Sequence, residues 1–515
     1  MSESEINNPL KTILKGTKII AFGIIFSKIF GYIYRIIAAR AGIYEYGLLS
    51  IGIAILGLLT SVSLIGLGDG LLRYVSFYKG KEDYARIKSM LGFSVKIVSI
   101  ISIFLSIIVF IFSKWLAINL FHDQELNIII KLFAVIIPFN SLREIFFKIV
   151  RALQKVEYEV YSKHIIENVT KVSLSFIFTF LGYRLFGLTV AYIISIFLSF
   201  IAAFYFLNSK VLKQKDEEIV SLSLNKELLV YSLPLLFSTL IFSVILWTDT
   251  LMLGYFTSPQ ETGLYNAALP TSGLMFMVPL IMLTLFIPVL TEIYSQSKNE
   301  VFKSIYIIIT KWIFSINIIL LSFFCLFSSQ VLSILFGRAY VEASASLIIL
   351  SLGYFVGYAM SSTQDILMIH KKTKTIFLNS MIMMIINLIL NIYLIPIYGI
   401  NGAALATATA FITRSILLMI EVKYYLGITP FNAKYIKVFS SIVIATVSVY
   451  YLRKYLLLLP NIIAAPFGFL ALVTIYILLL IITKAFERED IMVIKLIQEK
   501  SGINFTKMNR ILKKL

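Results

Sequence analysis

Lysine and arginine fall in bands along the chain, and the stretches between the bands are apolar and long. A bilayer core about 30 Å thick needs about 20 apolar residues per helix. On that measure the sequence predicts fourteen membrane-spanning helices, at 17–41, 46–68, 89–113, 126–150, 162–183, 185–207, 228–256, 263–290, 302–325, 344–370, 374–396, 399–424, 434–458 and 461–484. Helices are chosen over barrel strands because the runs exceed 20 residues, whereas barrel strands alternate over about ten. With 59% hydrophobic residues, 14% charged residues and a mean hydropathy of +0.91, a chain of 515 residues is too apolar for a soluble core. The expected fold class is an all-α polytopic membrane protein.

The charge bands also give an orientation. With the N-terminus inside, inside segments hold 31 Lys/Arg and outside loops hold 6: Arg40, Lys114, Arg184, Arg338, Arg453 and Lys454. Such a bias places both termini in the cytoplasm of a cell-membrane protein. It also accounts for the formal net charge of +19, which in a soluble protein would suggest nucleic acid; no nucleic-acid partner is expected here. The opening MSESEINNPLK is polar and the first apolar run is too long for a signal sequence, so the first helix is expected to be retained. One cysteine, Cys325, leaves no internal disulfide, and His122, His164 and His370 lack metal-ligand spacing. No metal or cofactor is called for.

Three pairs of short matches point to an internal duplication. Leu120-Phe121 answers Leu335-Phe336, and Gly187 to Ala191 answers Gly402 to Ala406, both at an offset of 215; Gly47-Leu48 answers Gly263-Leu264 at 216. A six-span repeat returns the chain to its starting side, so the halves are parallel and related by an axis along the membrane normal. The domains expected are a six-helix lobe at 1–209, a cytoplasmic linker at 210–227, a second six-helix lobe at 228–424, two added helices within 434–484, and a basic amphipathic cytoplasmic tail at 485–515.

Charges inside spans are costly, so they face water or a partner. The first lobe carries Lys28, Arg35, Lys96, Lys131, Arg143, Lys148 and Lys171 against Glu144 and Glu167; the second carries Lys311 and Arg414 against Asp249 and Asp365, with Glu421 near the rim. Lys28 and Arg35, seven residues apart, share a helix face near mid-membrane, and either line a cavity or pair within the bundle. Arg143 follows Pro138, which is expected to kink the fourth span. Glu144/Lys148 and Glu167/Lys171 stand at i,i+4 and can pair along their helices. Asp249 and Asp365 are candidates for coupling or gating through a cation, H+ or Na+, or for neutralising an arginine of the facing lobe. Asn266 and the Asn387/Asn391 pair are expected to hydrogen-bond between helices.

The N-terminal stretch from Gly16 to Ser76, together with ETGLYNAALP, LFGRAYVEASASLIILSLG, DILMIHKKTKT and IPIYGINGAALATATA, resembles the polysaccharide-export flippases of the multidrug/oligosaccharidyl-lipid/polysaccharide (MOP) exporter superfamily in order and spacing. The resemblance implies two six-helix bundles that open alternately to each side. It implies as substrate a lipid-linked oligosaccharide on a polyprenyl phosphate or pyrophosphate, with membrane lipids and glycan-assembly enzymes as partners. Basic residues on the first span are a feature of such families, and Lys28 and Arg35 occupy it here; Arg143 joins them as a substrate-binding candidate from the residue reading. Two rivals stand beside this reading: a cation-coupled drug or metabolite exporter, which favours acidic cavity residues, and a membrane-embedded glycosyltransferase or polymerase. The latter needs catalytic acids on a sizeable external loop, and Asp123/Glu125 lack a partner for that role. No catalytic residue is assigned. Gly80-Lys81 continues with Glu82, which is no Walker A motif, and GLGDG at 66–70 reads as a turn at a span end.

Overall fold

In the computed structural model, which describes residues 3–211, 223–430 and 434–485, the chain is helical throughout, with no strand among the described residues. The expected tail from 486 onward and the core of the expected linker, 212–222, lie outside the described residues. The chain divides into two compact units, Met1–Asn266 and Ala267–Leu515.

The first unit is built from α1 (Glu3–Ala41), α2 (Ile43–Ser63), α3 (Leu67–Gly80), α4 (Tyr84–Trp115), α5 (Leu126–Ala152), α6 (Glu157–Glu159), α7 (Glu167–Phe180), α8 (Leu185–Phe206), α9 (Ser223–Phe256) and the first part of α10 (Pro259–Ser272). A π-helical stretch, Val160–Ile166, joins α6 to α7. α5 is the central element, packed on α2, α3, α4 and α8. It continues as one helix through Pro138. Proline has no N–H, so the carbonyl four residues earlier loses its helical donor; that carbonyl, Ala134, accepts from Ser106 Oγ of α4 at 2.7 Å. A core of Leu67, Leu71, Val75, Ile87, Met90, Ile145 and Ile149 ties α3, α4 and α5 together.

The GLGDG stretch is a packing device. Gly66 has φ +70°, which a side chain rarely tolerates, and a methyl there would strike the Ser232 carbonyl of α9. Gly70 lies against Ser232 Oγ, and Asp69 between them pairs with Lys148 of α5. Arg73 then lies over the Tyr231 ring at 4.4 Å, and Tyr74 donates to Glu227 at 3.0 Å. Helix α3 is therefore seated on the start of α9.

The second unit continues from α10 through a 3-10 segment, Gly273–Phe276, into α11 (Met277–Ser295), α12 (Asn299–Leu335), α13 (Ser344–Ala359), α14 (Ser361–Ile369), α15 (Thr373–Leu426), α16 (Lys434–Leu456) and α17 (Asn461–Ile482). α12 bends at Phe327, whose ring fills the place a side chain would take at Gly468 of α17. α15 breaks at Gly399, φ +52°, three residues after Pro396, and so holds both the eleventh and twelfth expected spans.

Eleven described helices are long and apolar enough to cross a membrane, which makes this a multi-pass membrane protein. The difference from fourteen lies in three places. α15 counts once although it holds two expected spans, and α5 and the 157–180 stretch, expected as the fourth and fifth, are not among the eleven; both carry several charged residues.

Candidate functional site

At about 100° per residue, α1 presents three flanks. Gly23, Ser27, Gly31, Tyr34 and Ala38 share one, and it packs on α7 and the π-helical stretch: Gly23 lies against His164 and Val160, and Ser27 accepts from Asn168 at 2.9 Å. Phe22, Ile29 and Ile33 share another and are exposed. Lys28 and Arg35 lie between these flanks, about 20° apart in rotation and about 10 Å apart in height. Lys28 is exposed and makes no ion pair among the described residues. Arg35 is half-buried and donates to Tyr46 Oη at 3.3 Å.

Arg143 is held differently. Its guanidinium donates to Glu167 at 2.5 Å and to Asn140 at 2.7 Å, with Glu144 at 3.5 Å. Glu167 also takes Lys171 at 3.4 Å, as the i,i+4 spacing suggested. The ammonium of Lys171 lies over Tyr34 and Tyr192, 5.5 and 5.1 Å from the ring centres. The other i,i+4 expectation fails: Glu144 accepts from Lys163 at 2.7 Å, and Lys148 turns to Asp69. The cause is the π-helical stretch, which brings Lys163 across to α5, while α3 supplies Asp69. Arg151 pairs with Glu159 at 2.5 Å in the same ladder.

Lys28, Arg35, Lys171 and Arg143 thus form one basic region in the first unit, joined through Tyr34, Tyr46 and Tyr192. Glu167 is the carboxylate shared by Arg143 and Lys171. Of these four cations, Lys28 and Arg35 have no carboxylate in ion-pair reach among the described residues, whereas Arg143 and Lys171 share Glu167. An arrangement of fixed cations exceeding their carboxylates, beside hydroxyl groups, suits a multiply charged oxyanion such as a phosphate.

Tyr46 and Lys163 were not singled out from the sequence. Tyr46 reads as one more apolar residue opening a span, yet it is 1% exposed and its hydroxyl is bonded on both sides, accepting from Arg35 and donating to the Asn266 carbonyl at 2.9 Å.

Asp249 is buried and accepts from Tyr265 at 2.5 Å, both in the first unit. Asn266 exchanges hydrogen bonds with Thr250 of α9, and Asn387 donates to Thr407 across the break of α15 at 2.9 Å, so these two link helices as expected, while Asn391 donates to Asn387 along its own helix. In the second unit, Asp365 lies within electrostatic reach of Arg414, whose guanidinium donates to the neighbouring Gln364. Arg414 has the partner that its sequence did not reveal.

Comparison with known proteins agrees with this architecture. A family model described as polysaccharide biosynthesis protein matches residues 13–294. An uncharacterised membrane protein of Methanocaldococcus jannaschii is 23% identical over 361 residues, 66% of this chain and 70% of that protein. A probable low-salt glycan biosynthesis flippase, Agl15, of Haloferax volcanii is 26% identical over 180 residues, 33% of this chain and 36% of that protein. Among solved structures, the lipid II flippase MurJ in an inward-closed conformation superposes with a TM-score of 0.73 at 20% identity, covering 89% of this chain and 97% of that one. An inward-facing multidrug resistance MATE family transporter of the MOP superfamily gives 0.65 at 14% identity, covering 78% and 94%. The fold is that of the MOP exporters, and since the family match takes in more than half of its residues, the chain belongs to the polysaccharide biosynthesis protein family.

Proposed function

We propose that this protein is a flippase that carries an oligosaccharide linked to a polyprenyl phosphate or pyrophosphate from the cytoplasmic to the outer leaflet, for the assembly of a surface glycan. The observation that carries the reading is the pair Lys28 and Arg35: two intramembrane cations on one flank of α1, with no carboxylate in ion-pair reach among the described residues. The similarity to a probable glycan biosynthesis flippase and the fold shared with a lipid II flippase support it.

In this reading both termini are cytoplasmic, and residues 1–209 and 228–424 act as two lobes that rock to expose the site to each side in turn. The phosphate is taken by Lys28 and Arg35 while the polyprenyl tail stays in lipid. Arg143 acts from behind, since Glu167 already holds it; it sets the field of the site and yields to the headgroup only if Glu167 releases it. Asp249 and Asp365 are the carboxylates for a coupling cation or for gating, and glycan-assembly enzymes act before and after transfer.

The test is transfer of a fluorescent polyprenyl-pyrophosphate oligosaccharide between leaflets of proteoliposomes. Wild-type protein is expected to speed transfer, and Lys28→Ala and Arg35→Ala each to slow it by about 10- to 100-fold, the worth of one charge-assisted hydrogen bond. Absence of transfer with several such lipids, together with gradient-driven efflux of small organic cations, would replace this reading with a drug exporter.

A further inference from the structure

The hydroxyl of Tyr46 is bonded to a carbonyl that its own helix cannot satisfy. In α10 the donor for the Asn266 carbonyl should be the N–H of residue 270, and residue 270 is proline. Tyr46 supplies the missing hydrogen bond at 2.9 Å. Three residues further on, the helix tightens into the 3-10 segment Gly273–Phe276 before α11 begins. A proline, a carbonyl without a helical donor and a 3-10 segment inside one apolar run are the marks of a hinge. A Cβ added at Gly273 would meet nothing within 4 Å.

The same side chain touches the proposed anion site, because Tyr46 Oη accepts from Arg35 at 3.3 Å. Its place is fixed by the neighbouring backbone. A methyl at Gly47 would strike the Pro259 carbonyl, and one at Gly263 would strike the Ile43 carbonyl, so α2 and α10 cross at van der Waals distance, with each repeat-related glycine facing the residue four before the other. The side chain of Asn266 is itself anchored to Thr250 and to the Thr262 carbonyl. Ser106 and Ala134 show that a hydroxyl can serve a proline-freed carbonyl with no further role. Tyr46 differs in that its oxygen also accepts from an arginine of the site and so stands in series between the two.

We infer that Tyr46 is a positioning residue that couples occupancy of Arg35 to the hinge of α10. This rests on the proposed reading of Lys28 and Arg35 as the anion site. A phosphate that draws the Arg35 guanidinium toward itself removes the hydrogen bond polarising Tyr46, and the donor holding the Asn266 carbonyl weakens with it. Loading of the anion is thereby reported at Pro270 and the 3-10 segment that follows it.

The experiment is hydrogen exchange of residues 259–276 in the full-length protein in lipid nanodiscs, with and without inorganic pyrophosphate, alongside pyrophosphate affinity. Wild type is expected to bind pyrophosphate and to change exchange in this segment by threefold or more. Tyr46→Phe keeps the ring and loses the hydroxyl; with each protein saturated by pyrophosphate at its own measured affinity, the change in 259–276 is expected to disappear. Pro270→Ala restores the helical N–H and removes the need for Tyr46, and it is expected to lose the response with Tyr46 intact, which decides the matter should Tyr46→Phe fail to fold. A wild-type-sized response in either variant overturns the inference, as does a wild type that binds pyrophosphate with no change in 259–276. A wild type that binds no pyrophosphate overturns the anion-site reading instead.

Discussion

Glu167 is the point on which the basic region of the first unit is balanced, and replacing it by glutamine is the sharpest structural test. Its carboxylate lies 2.5 Å from Arg143 and 3.4 Å from Lys171, and the three side chains are 11%, 6% and 9% exposed. With an effective dielectric constant of about 20, the two attractions are about 7 and about 5 kcal/mol before desolvation is counted. Desolvation offsets much of this while the ions are paired, but removing the Glu167 charge leaves Lys171 buried without its carboxylate and Arg143 with the more distant Glu144 at 3.5 Å, at a cost of about 3–5 kcal/mol. Glutamine keeps the shape and one acceptor, so the loss is assigned to charge. Equilibrium unfolding in mixed micelles, followed by tryptophan fluorescence, should show Glu167→Gln destabilised by about 3–5 kcal/mol. Combining it with Arg143→Met and Lys171→Met should recover most of that loss, because an apolar replacement of a buried ion group is neutral to favourable. A single variant within 1 kcal/mol of wild type, or a triple variant no more stable than the single, would refute the argument.

Gly66→Ala should cost about 2–5 kcal/mol, from its φ of +70° and the collision with Ser232, whereas Gly92→Ala, with nothing within 4 Å, should gain about 0.5–1 kcal/mol in the same assay. Gly468→Val should lose about 1–3 kcal/mol by displacing the Phe327 ring at the bend of α12, and Phe327→Ala in the same chain should relieve part of it. Lys28→Ala should change unfolding free energy by no more than about 0.5 kcal/mol while slowing lipid transfer, since the side chain is exposed and makes no ion pair among the described residues; equal loss in both measurements would make Lys28 structural.

Much of the fold was legible because hydropathy and charge speak directly about a bilayer. The helices at 43–63, 84–115, 185–206 and 461–482 lie within a few residues of their expected spans. Interhelical asparagines were legible for the same reason, since an amide in a span needs a partner. The wiring of the charges was not. Spacing on one helix suggested Glu144 with Lys148, but partners are chosen in three dimensions, and the π-helical stretch and α3 brought Lys163 and Asp69 closer. Arg143 looked available for substrate because its acid, Glu167, lies 24 residues away on another helix. GLGDG looked like a plain turn because no local pattern shows that Ser232 will lie against it. Tyr46 was invisible for a different reason: its role depends on a proline 224 residues later, whose missing N–H opens a carbonyl that only the folded chain brings within reach.

The proposed function stands or falls with recognition of a lipid phosphate by Lys28 and Arg35. Native mass spectrometry of the protein offered equal amounts of a polyprenyl phosphate and the polyprenol of the same chain length tests it most directly. Wild type is expected to retain the phosphorylated lipid preferentially by tenfold or more, and the Lys28→Ala/Arg35→Ala double variant to retain the two alike. Equal retention by wild type, or an undiminished preference in the double variant, would contradict it.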